Sequence, residues 1–126
     1  MIASDVLDSL KIKALKKWNE LTYLSDPQLD LELNLQIDSI CDINLAHERS
    51  PKEALFFQSA KASATNIIGV NFYYTSQYEK ALSYYRRSFE MTEQLGDLSG
   101  QANALNNAGV VSFRLNKYDE AIDYYG

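Results

Sequence analysis

Apolar residues along the chain recur at intervals of three and four positions, which is the spacing of one face of an α-helix. The first such segment runs from about Ser4, whose hydroxyl can serve as the N-cap, to about Leu24. Its predicted buried stripe consists of Val6, Leu10, Leu15, Trp18 and Leu21. The pattern therefore predicts that the chain begins with a long amphipathic helix.

The second segment, 27–48, is ambiguous at its start, because residues 29–37 alternate between apolar and polar as a strand does. Leucine, glutamate and glutamine favour a helix, however, and no β-branched run supports a strand. Its apolar residues also share one helical face, formed by Leu29, Leu33, Ile37, Ile40 and Cys41. We therefore predict a second helix.

Start and stop signals divide the rest of the chain. Ser25-Asp26-Pro27 and Ser50-Pro51 each place a capping side chain before a proline in the first helical turn, with either Ser25 or Asp26 as the first cap. Glu53 can complete a capping box with Ser50. Gly96 is suited to a left-handed C-cap. The predicted helices cover about 51–74, 77–95 and 98–115, and a sixth begins near 117.

The stretches 62–86 and 102–126 are an internal repeat with a period of 40 residues. Nine of the 25 aligned positions are identical, and they include Asn66/Asn106, Gly69/Gly109 and Val70/Val110. A fixed period of this length is typical of stacked repeat proteins, which bury a continuous core between neighbouring units and often present a binding surface.

Small residues fall at matching places in both repeats. Gly69 stands twelve residues before Ala81, and Gly109 twelve residues before Ala121, with a short polar joint between them. Two antiparallel helices joined by a short loop touch near that loop, so these pairs predict a close approach of two backbones. The tyrosines predicted to pack around each approach are Tyr78, Tyr85, Tyr118 and Tyr125.

This arrangement resembles the tetratricopeptide repeat, a helix–turn–helix unit in which an aromatic follows a glycine by three residues and an alanine by four. The matching pairs are Gly69 with Phe72, Ala81 with Tyr85 and Ala121 with Tyr125, while Ser112 departs from the pattern after Gly109. The period, and the phrase from Glu93 to Gly109, are similar to the longer-helix variety found in bacterial signalling proteins and kinesin light chains.

The resemblance implies an all-α fold of about six helices, in which antiparallel pairs stack as a right-handed superhelix. We expect a single domain, 1–126, made of a divergent first helix pair (1–49), one repeat (50–97) and a second repeat (98–126) truncated within its last helix. Because the chain stops inside a repeat, we expect it to be the front piece of a longer protein.

Composition and charge exclude several classes of function. The net charge is −5, with no basic cluster beyond Lys11–Lys17, so binding to nucleic-acid phosphates is disfavoured. No apolar run is long enough to span a membrane. The single cysteine, Cys41, lies among apolar residues and is interpreted as a small buried residue, and it leaves the compartment undetermined between cytoplasm and periplasm.

The chain offers no recognisable catalytic constellation. His47 has no cluster of histidines or cysteines beside it to make a metal site, and Asp119-Glu120 suit an exposed helix start. No phosphate-binding glycine loop or nucleophilic serine motif occurs. We therefore expect no catalytic residues, metal or cofactor in this segment, although a catalytic domain could follow it in a longer protein.

In the family that the chain resembles, the first helix of each pair lines a concave groove. The implied partner-binding residues are Asn66, Val70, Tyr73 and Tyr74 on helix three and Asn106, Val110, Phe113 and Arg114 on helix five. Each set shares one helical face, because its members follow the spacing i, i+4, i+7, i+8. The alternative is that the asparagines cover a solvated face and the rings pack between helices.

Chaperone-docking members of the family clamp a carboxylate with lysines and asparagines. Asn107 matches one of those asparagines, but Asn66 stands in place of the lysine and Val70 in place of a second asparagine, so binding of a chaperone tail is disfavoured.

The sequence as a whole resembles the N-terminal regions of Bacteroidetes sensor histidine kinases and related signalling proteins. This implies a sensory or docking module for a protein or peptide. The alternative is a structural element for self-association, with a homodimer formed through the C-terminal helices.

Overall fold

A computed structural model describes residues 4–22, 26–47 and 50–115 of the chain. Within these ranges every regular element is an α-helix, which confirms the all-α prediction, including the ambiguous second segment. The helices are α1 (Ser4–Thr22), α2 (Pro27–Leu45), α3 (Pro51–Tyr74), α4 (Tyr78–Leu95) and α5 (Leu98–Arg114). The predicted sixth helix lies outside the described residues.

The predicted starts of α2 and α3 and the predicted end of α4 are confirmed, whereas α2 ends at Leu45 and not at the predicted position 48. The Asp26 carboxylate accepts the Leu29 N–H at 3.1 Å at the start of α2. At the start of α3, the Ser50 hydroxyl accepts the Glu53 N–H at 3.3 Å and donates to the Glu53 carboxylate at 2.7 Å. These side chains satisfy amide groups that have no partner within the helix itself. Gly96 ends α4 with a φ of 69°, the left-handed conformation that glycine adopts without steric cost.

Consecutive helices pack side by side and run antiparallel. Between α2 and α3, the Lys61 ammonium binds the Asp38 carboxylate at 2.7 Å, whereas Asn71, ten residues further along α3, bonds to Asp30 at 2.6 Å, eight residues back along α2. Between α3 and α4, the Ser88 hydroxyl donates to the carbonyl of Ala62 at 3.1 Å. The α3 and α5 helices also contact each other, so the first helices of the two repeats are neighbours.

The core has two clusters, one at each end of the described stack. The first joins α1, α2 and α3 through Ile12, Ile37, Cys41, Phe57, Ala60 and Ala64. The second joins α4 and α5, with packing from α3, through Ala81, Leu82, Tyr85, Ala108 and Val111. Cys41 is fully buried, as the sequence predicts.

The apolar stripe predicted for α1 is wrong in part. The residue of α1 that enters the core is Ile12, whereas Leu10 and Trp18 are half exposed and Leu15 is only partly buried. The reason is positional: α1 packs on α2 and meets α3 through Ile12, whereas Trp18 lines an open groove between α1 and α2.

Gly69 lies where α3 and α4 come closest. A methyl group built on its Cα would stand 2.7 Å from the ring of Tyr85 and 3.3 Å from the Ala81 carbonyl oxygen, both on α4. The corresponding Gly109 of α5 is buried. Its predicted neighbours Ala121 and Tyr125, and also Tyr118, lie outside the described residues.

Candidate functional site

The eight predicted partner-binding residues all lie on α3 and α5, and we refer to them together as the α3–α5 face. They are Asn66, Val70, Tyr73, Tyr74, Asn106, Val110, Phe113 and Arg114. The two helices are joined at this face, because the Asn107 side-chain amide donates to the Asn66 side-chain oxygen at 3.2 Å. Asn107 was absent from the predicted face, although its position beside Asn106 placed it one residue away.

The α3–α5 face is rich in exposed aromatic surface at the C-terminal ends of its helices. Tyr74 is 64% exposed and Phe113 is 59% exposed. Asn106 and Arg114 are also exposed, whereas Asn66, Val70 and Val110 are partly buried. Large exposed rings on one surface are unusual for residues whose only role is packing, because burying an aromatic side chain removes more apolar area than burying almost any other residue.

Tyr73 is partly buried and packs against neighbouring rings. Its ring contacts the ring of Tyr74 at a centroid distance of 5.5 Å and the ring of Tyr78 at 5.6 Å. Tyr73 and Val70 also pack against the core cluster of α4 and α5. The exposed ring of Tyr74 therefore packs against Tyr73, which in turn packs against the core.

A polar cavity of about 180 Å³ opens beside the N-terminal end of this face. It lies among α3, α4 and α5, and its lining includes Ser59, Ser63, Asn66, Thr92, Asp97 and Asn103. Asp97 caps α5 by accepting the Gly100 N–H at 2.9 Å, and a methyl group on Gly100 would collide with Asp97 and Thr92. Sequence reasoning missed this cavity; the available signal was the sequence Asp97-Leu98-Ser99-Gly100, a capping residue followed by a glycine.

The surface of α3 and α5 therefore changes character along the helices. Hydroxyl and amide side chains occupy the end near the cavity, and valine and aromatic side chains occupy the other end. Such a surface can hydrogen-bond a peptide backbone at one end and hold apolar side chains at the other. Arg114 is the only charged member of the α3–α5 face and can pair with a carboxylate.

The perturbed titratable groups lie in the helix contacts outside this face. Burial raises the pKa of the Asp30 carboxyl, and the hydrogen bond from Asn71 only partly offsets that effect. Burial disfavours the charged form of Lys61, but hydrogen bonds to Asp38 and Asp42 outweigh it and leave the pKa of Lys61 raised. Burial raises the pKa of the Cys41 thiol to about 12. Each shift has a structural cause.

The described residues contain no group of three or more histidine, cysteine, aspartate or glutamate side chains placed to hold a metal ion. No helix in the described ranges combines the length and the apolar character needed to cross a lipid bilayer.

Comparison with known proteins connects this geometry to a family. The family model described as tetratricopeptide repeat matches residues 61–126, slightly more than half of the chain. No curated protein and no solved structure matches the chain. The matched region contains both copies of the internal repeat, the close approach at Gly69 and the α3–α5 face. The chain belongs to the tetratricopeptide repeat family.

Proposed function

We propose that the chain is a non-catalytic module that binds a protein or peptide on the α3–α5 face. Membership of the tetratricopeptide repeat family supports a protein-interaction role. The observation that carries the choice of surface is the pair of exposed rings, Tyr74 at the end of α3 and Phe113 near the end of α5. Exposed aromatic residues on a rigid helical support are typical of the residues that contribute most to binding energy.

The chemistry of the face suggests how a partner is held. Apolar side chains of the partner pack on Tyr74 and Phe113, and the amides of Asn106 and the nearby Asn103 bond to its backbone. Arg114 favours a carboxylate at the aromatic end. The Asn107 amide already donates to Asn66, so it is a joint between the helices as well as a candidate contact.

The parent protein, on this proposal, is a bacterial signalling protein of the sensor histidine kinase kind, and this chain is its sensory or docking region. The support is the 40-residue period and the phrase from Glu93 to Gly109. The test is the coding sequence downstream of Gly126. A kinase or other output domain is the expected result, and a stop codon directly after the repeats would contradict it.

The binding surface can be tested without knowing the natural partner. Peptides selected against the wild-type chain from a random peptide display library serve as ligands, and their affinity is measured by fluorescence polarisation. Changing Tyr74→Ala together with Phe113→Ala should weaken binding by about 30-fold or more, because truncating a central aromatic contact typically costs at least about 2 kcal/mol. Circular dichroism should show unchanged helicity.

Leu98→Ala is the matched control, since Leu98 is an exposed apolar residue of α5 that lies outside the stripe of the α3–α5 face. It should leave peptide affinity unchanged. Peptides that bind the double variant and the wild type equally well would show that the α3–α5 face is not the binding surface.

Self-association is the second candidate function, and one observation favours it. Large apolar side chains are exposed on α1 and α2, where Trp18 is 50% exposed and Ile43 is 60% exposed.

A further inference from the structure

The polar cavity beside Asp97 differs from the rest of the α3–α5 face in the hydrogen-bonding groups that it presents. Two buried side chains of α4, Ser88 and Thr92, form part of its lining. The Ser88 hydroxyl donates to the carbonyl of Ala62 at 3.1 Å, and the Thr92 hydroxyl donates to the carbonyl of Ser88 at 2.9 Å. Because a hydroxyl has a single hydrogen, both groups can only accept any further hydrogen bond.

Asp97 is the only charged residue of the lining, and it adds another acceptor. One of its carboxylate oxygens, Oδ1, accepts the Gly100 N–H at 2.9 Å. Its second oxygen, Oδ2, makes no hydrogen bond or ion pair within the described residues. A carboxylate has about four lone-pair sites, so Asp97 can accept a hydrogen bond from a ligand and still cap α5.

These acceptors favour a cation over an anion. The start of a helix carries partial positive charge and by itself attracts an anion. At the start of α5, however, the Asp97 carboxylate already occupies that position and repels a second negative charge. An ammonium or guanidinium group carries several donors and no acceptor, so it matches a lining whose buried hydroxyls and carboxylate only accept.

The cavity is continuous with the α3–α5 face. Its lining residues extend the stripe of that face on each helix at the spacing i, i+4, i+7, i+11, with Ser59, Ser63, Asn66 and Val70 on α3 and Ser99, Asn103, Asn106 and Val110 on α5. From Ser99 to Phe113 the stripe is about 21 Å long at 1.5 Å per residue. An extended segment of roughly six or seven residues covers that length, so one short peptide can reach both the cavity and the aromatic end.

We propose that this cavity binds a cationic side chain, lysine or arginine, of the protein or peptide that lies on the α3–α5 face. The proposal rests on the proposed function and adds a selectivity to it. The cationic group donates to the Asp97 carboxylate and to the hydroxyls of Ser88 and Thr92. Arg114 stands at the other end of the face, so the face as a whole selects a segment that carries opposite charges at its two ends.

Asp97→Asn removes the charge and keeps the helix cap, because asparagine caps a helix as well as aspartate does. Peptides selected against the wild-type chain from a random display library are the probes, and fluorescence polarisation gives their affinities. We expect them to carry a lysine or arginine whose replacement by neutral norleucine or citrulline weakens binding by about tenfold or more, as expected for a hydrogen bond to a charged group. Against Asp97→Asn the same replacement should change affinity by less than about twofold, because the two changes are coupled.

Asp26→Asn is the matched control. It makes the same change at the N-cap of α2, where the Asp26 carboxylate accepts the Leu29 N–H, and it alters the net charge equally. An effect of overall charge would appear in both variants, whereas an effect of the cavity appears only in Asp97→Asn. Peptides should bind Asp26→Asn as they bind the wild type, and circular dichroism should show unchanged helicity in both variants.

Selected peptides that lack a cationic residue would overturn the proposal, and so would an equal loss of affinity for the wild type and Asp97→Asn when that residue is replaced. If such peptides still lose affinity when Tyr74→Ala and Phe113→Ala are combined, the α3–α5 face remains the binding surface and only the cavity assignment fails. Peptides that couple to Asp97 but bind independently of the two rings would support the cavity and reject the aromatic end.

Discussion

Gly69 shows how one missing side chain allows two helices to meet. Its Cα faces the ring of Tyr85 across the contact between α3 and α4, and the Ala81 carbonyl oxygen bounds the same space. A ring held by the buried core cannot easily turn away from an added methyl group, because Tyr85 is itself almost fully buried. The glycine is therefore required by packing, although glycine weakens a helix interior.

Changing Gly69→Ala should lower the free energy of unfolding by about 1–3 kcal/mol from overpacking, less the gain of up to about 1 kcal/mol in helix propensity. Urea denaturation followed by circular dichroism measures the difference. In a Tyr85→Ala background the clash with the ring is absent and only the 3.3 Å contact with the Ala81 carbonyl oxygen remains, so the same Gly69→Ala change should cost less. An equal effect of Gly69→Ala in both backgrounds would contradict this account of the contact.

Asp30 is a second residue whose environment has a measurable consequence. Its carboxylate is buried between α2 and α3, where Asn71 donates to one oxygen at 2.6 Å. Burial raises the pKa above its ordinary value of 3.8, so the folded state binds a proton more tightly than the unfolded state does. The stability associated with this proton is therefore present below pH 3.8 and is lost as the pH rises through the raised folded-state pKa.

We expect the free energy of unfolding of the wild type, relative to Asp30→Asn, to fall as the pH rises from 3.8 to the raised folded-state pKa of Asp30. Above that pKa the difference should level off. Urea denaturation at a series of pH values measures this difference, and the Asn71 hydrogen bond can be kept by the asparagine side-chain oxygen. Asn71→Ala removes the interaction that lowers the pKa of Asp30, so it should extend the window to higher pH. A difference between wild type and Asp30→Asn that is constant with pH would refute the assignment.

At the scale of the helices, the boundaries were predictable because they depend on local chemistry. Asp26 and Ser50 cap their helices through bonds to amides three residues ahead, and Gly96 adopts the left-handed conformation that its missing side chain permits. These interactions need no information about distant residues. The alternating pattern at 29–37 resolved as helix because its residues favour helix and share one helical face.

The faces of the helices were less predictable than their ends. The apolar stripe of α1 could not be assigned to the core from the sequence, because spacing alone does not tell which side a neighbouring helix covers. Ile12 was missed for this reason, and Trp18 was assigned to the core although it is half exposed. A residue that satisfies a helical pattern can serve an internal or an external contact equally well.

The same limit applies to the candidate site. The family resemblance placed Asn66 and its repeat counterpart Asn106 on the α3–α5 face, but the observed bond joins Asn66 to Asn107. The stagger between two neighbouring helices depends on how the helix between them packs, and a sequence period does not contain that offset. The polar cavity beside Asp97 was missed for the same reason, since three helices contribute to it.

At the scale of the whole molecule, Cys41 is a reporter of cooperative unfolding. It is the only cysteine, it is fully buried in the cluster that joins α1, α2 and α3, and burial raises the pKa of its thiol to about 12. A thiol in this state reacts only when the surrounding helices separate, because it is neither exposed nor ionised at neutral pH.

We expect a thiol reagent at pH 8 to modify the folded chain at least about a thousandfold more slowly than the urea-unfolded chain, in line with the small unfolded fraction of a stable domain. Spectrophotometric detection of the modified thiol gives both rates. The logarithm of the rate should rise with urea at the slope found for unfolding by circular dichroism. Rapid modification in native buffer would show that α1 opens independently of the rest.

The amide pair of Asn66 and Asn107 has one further consequence. Neither side chain ionises, so the strength of this hydrogen bond depends far less on pH and salt concentration than that of a salt bridge does. The spacing between α3 and α5 at this hydrogen bond should therefore stay constant as pH and salt concentration change. On the proposed function, the binding surface beside this amide pair should therefore keep its shape as pH and salt concentration change.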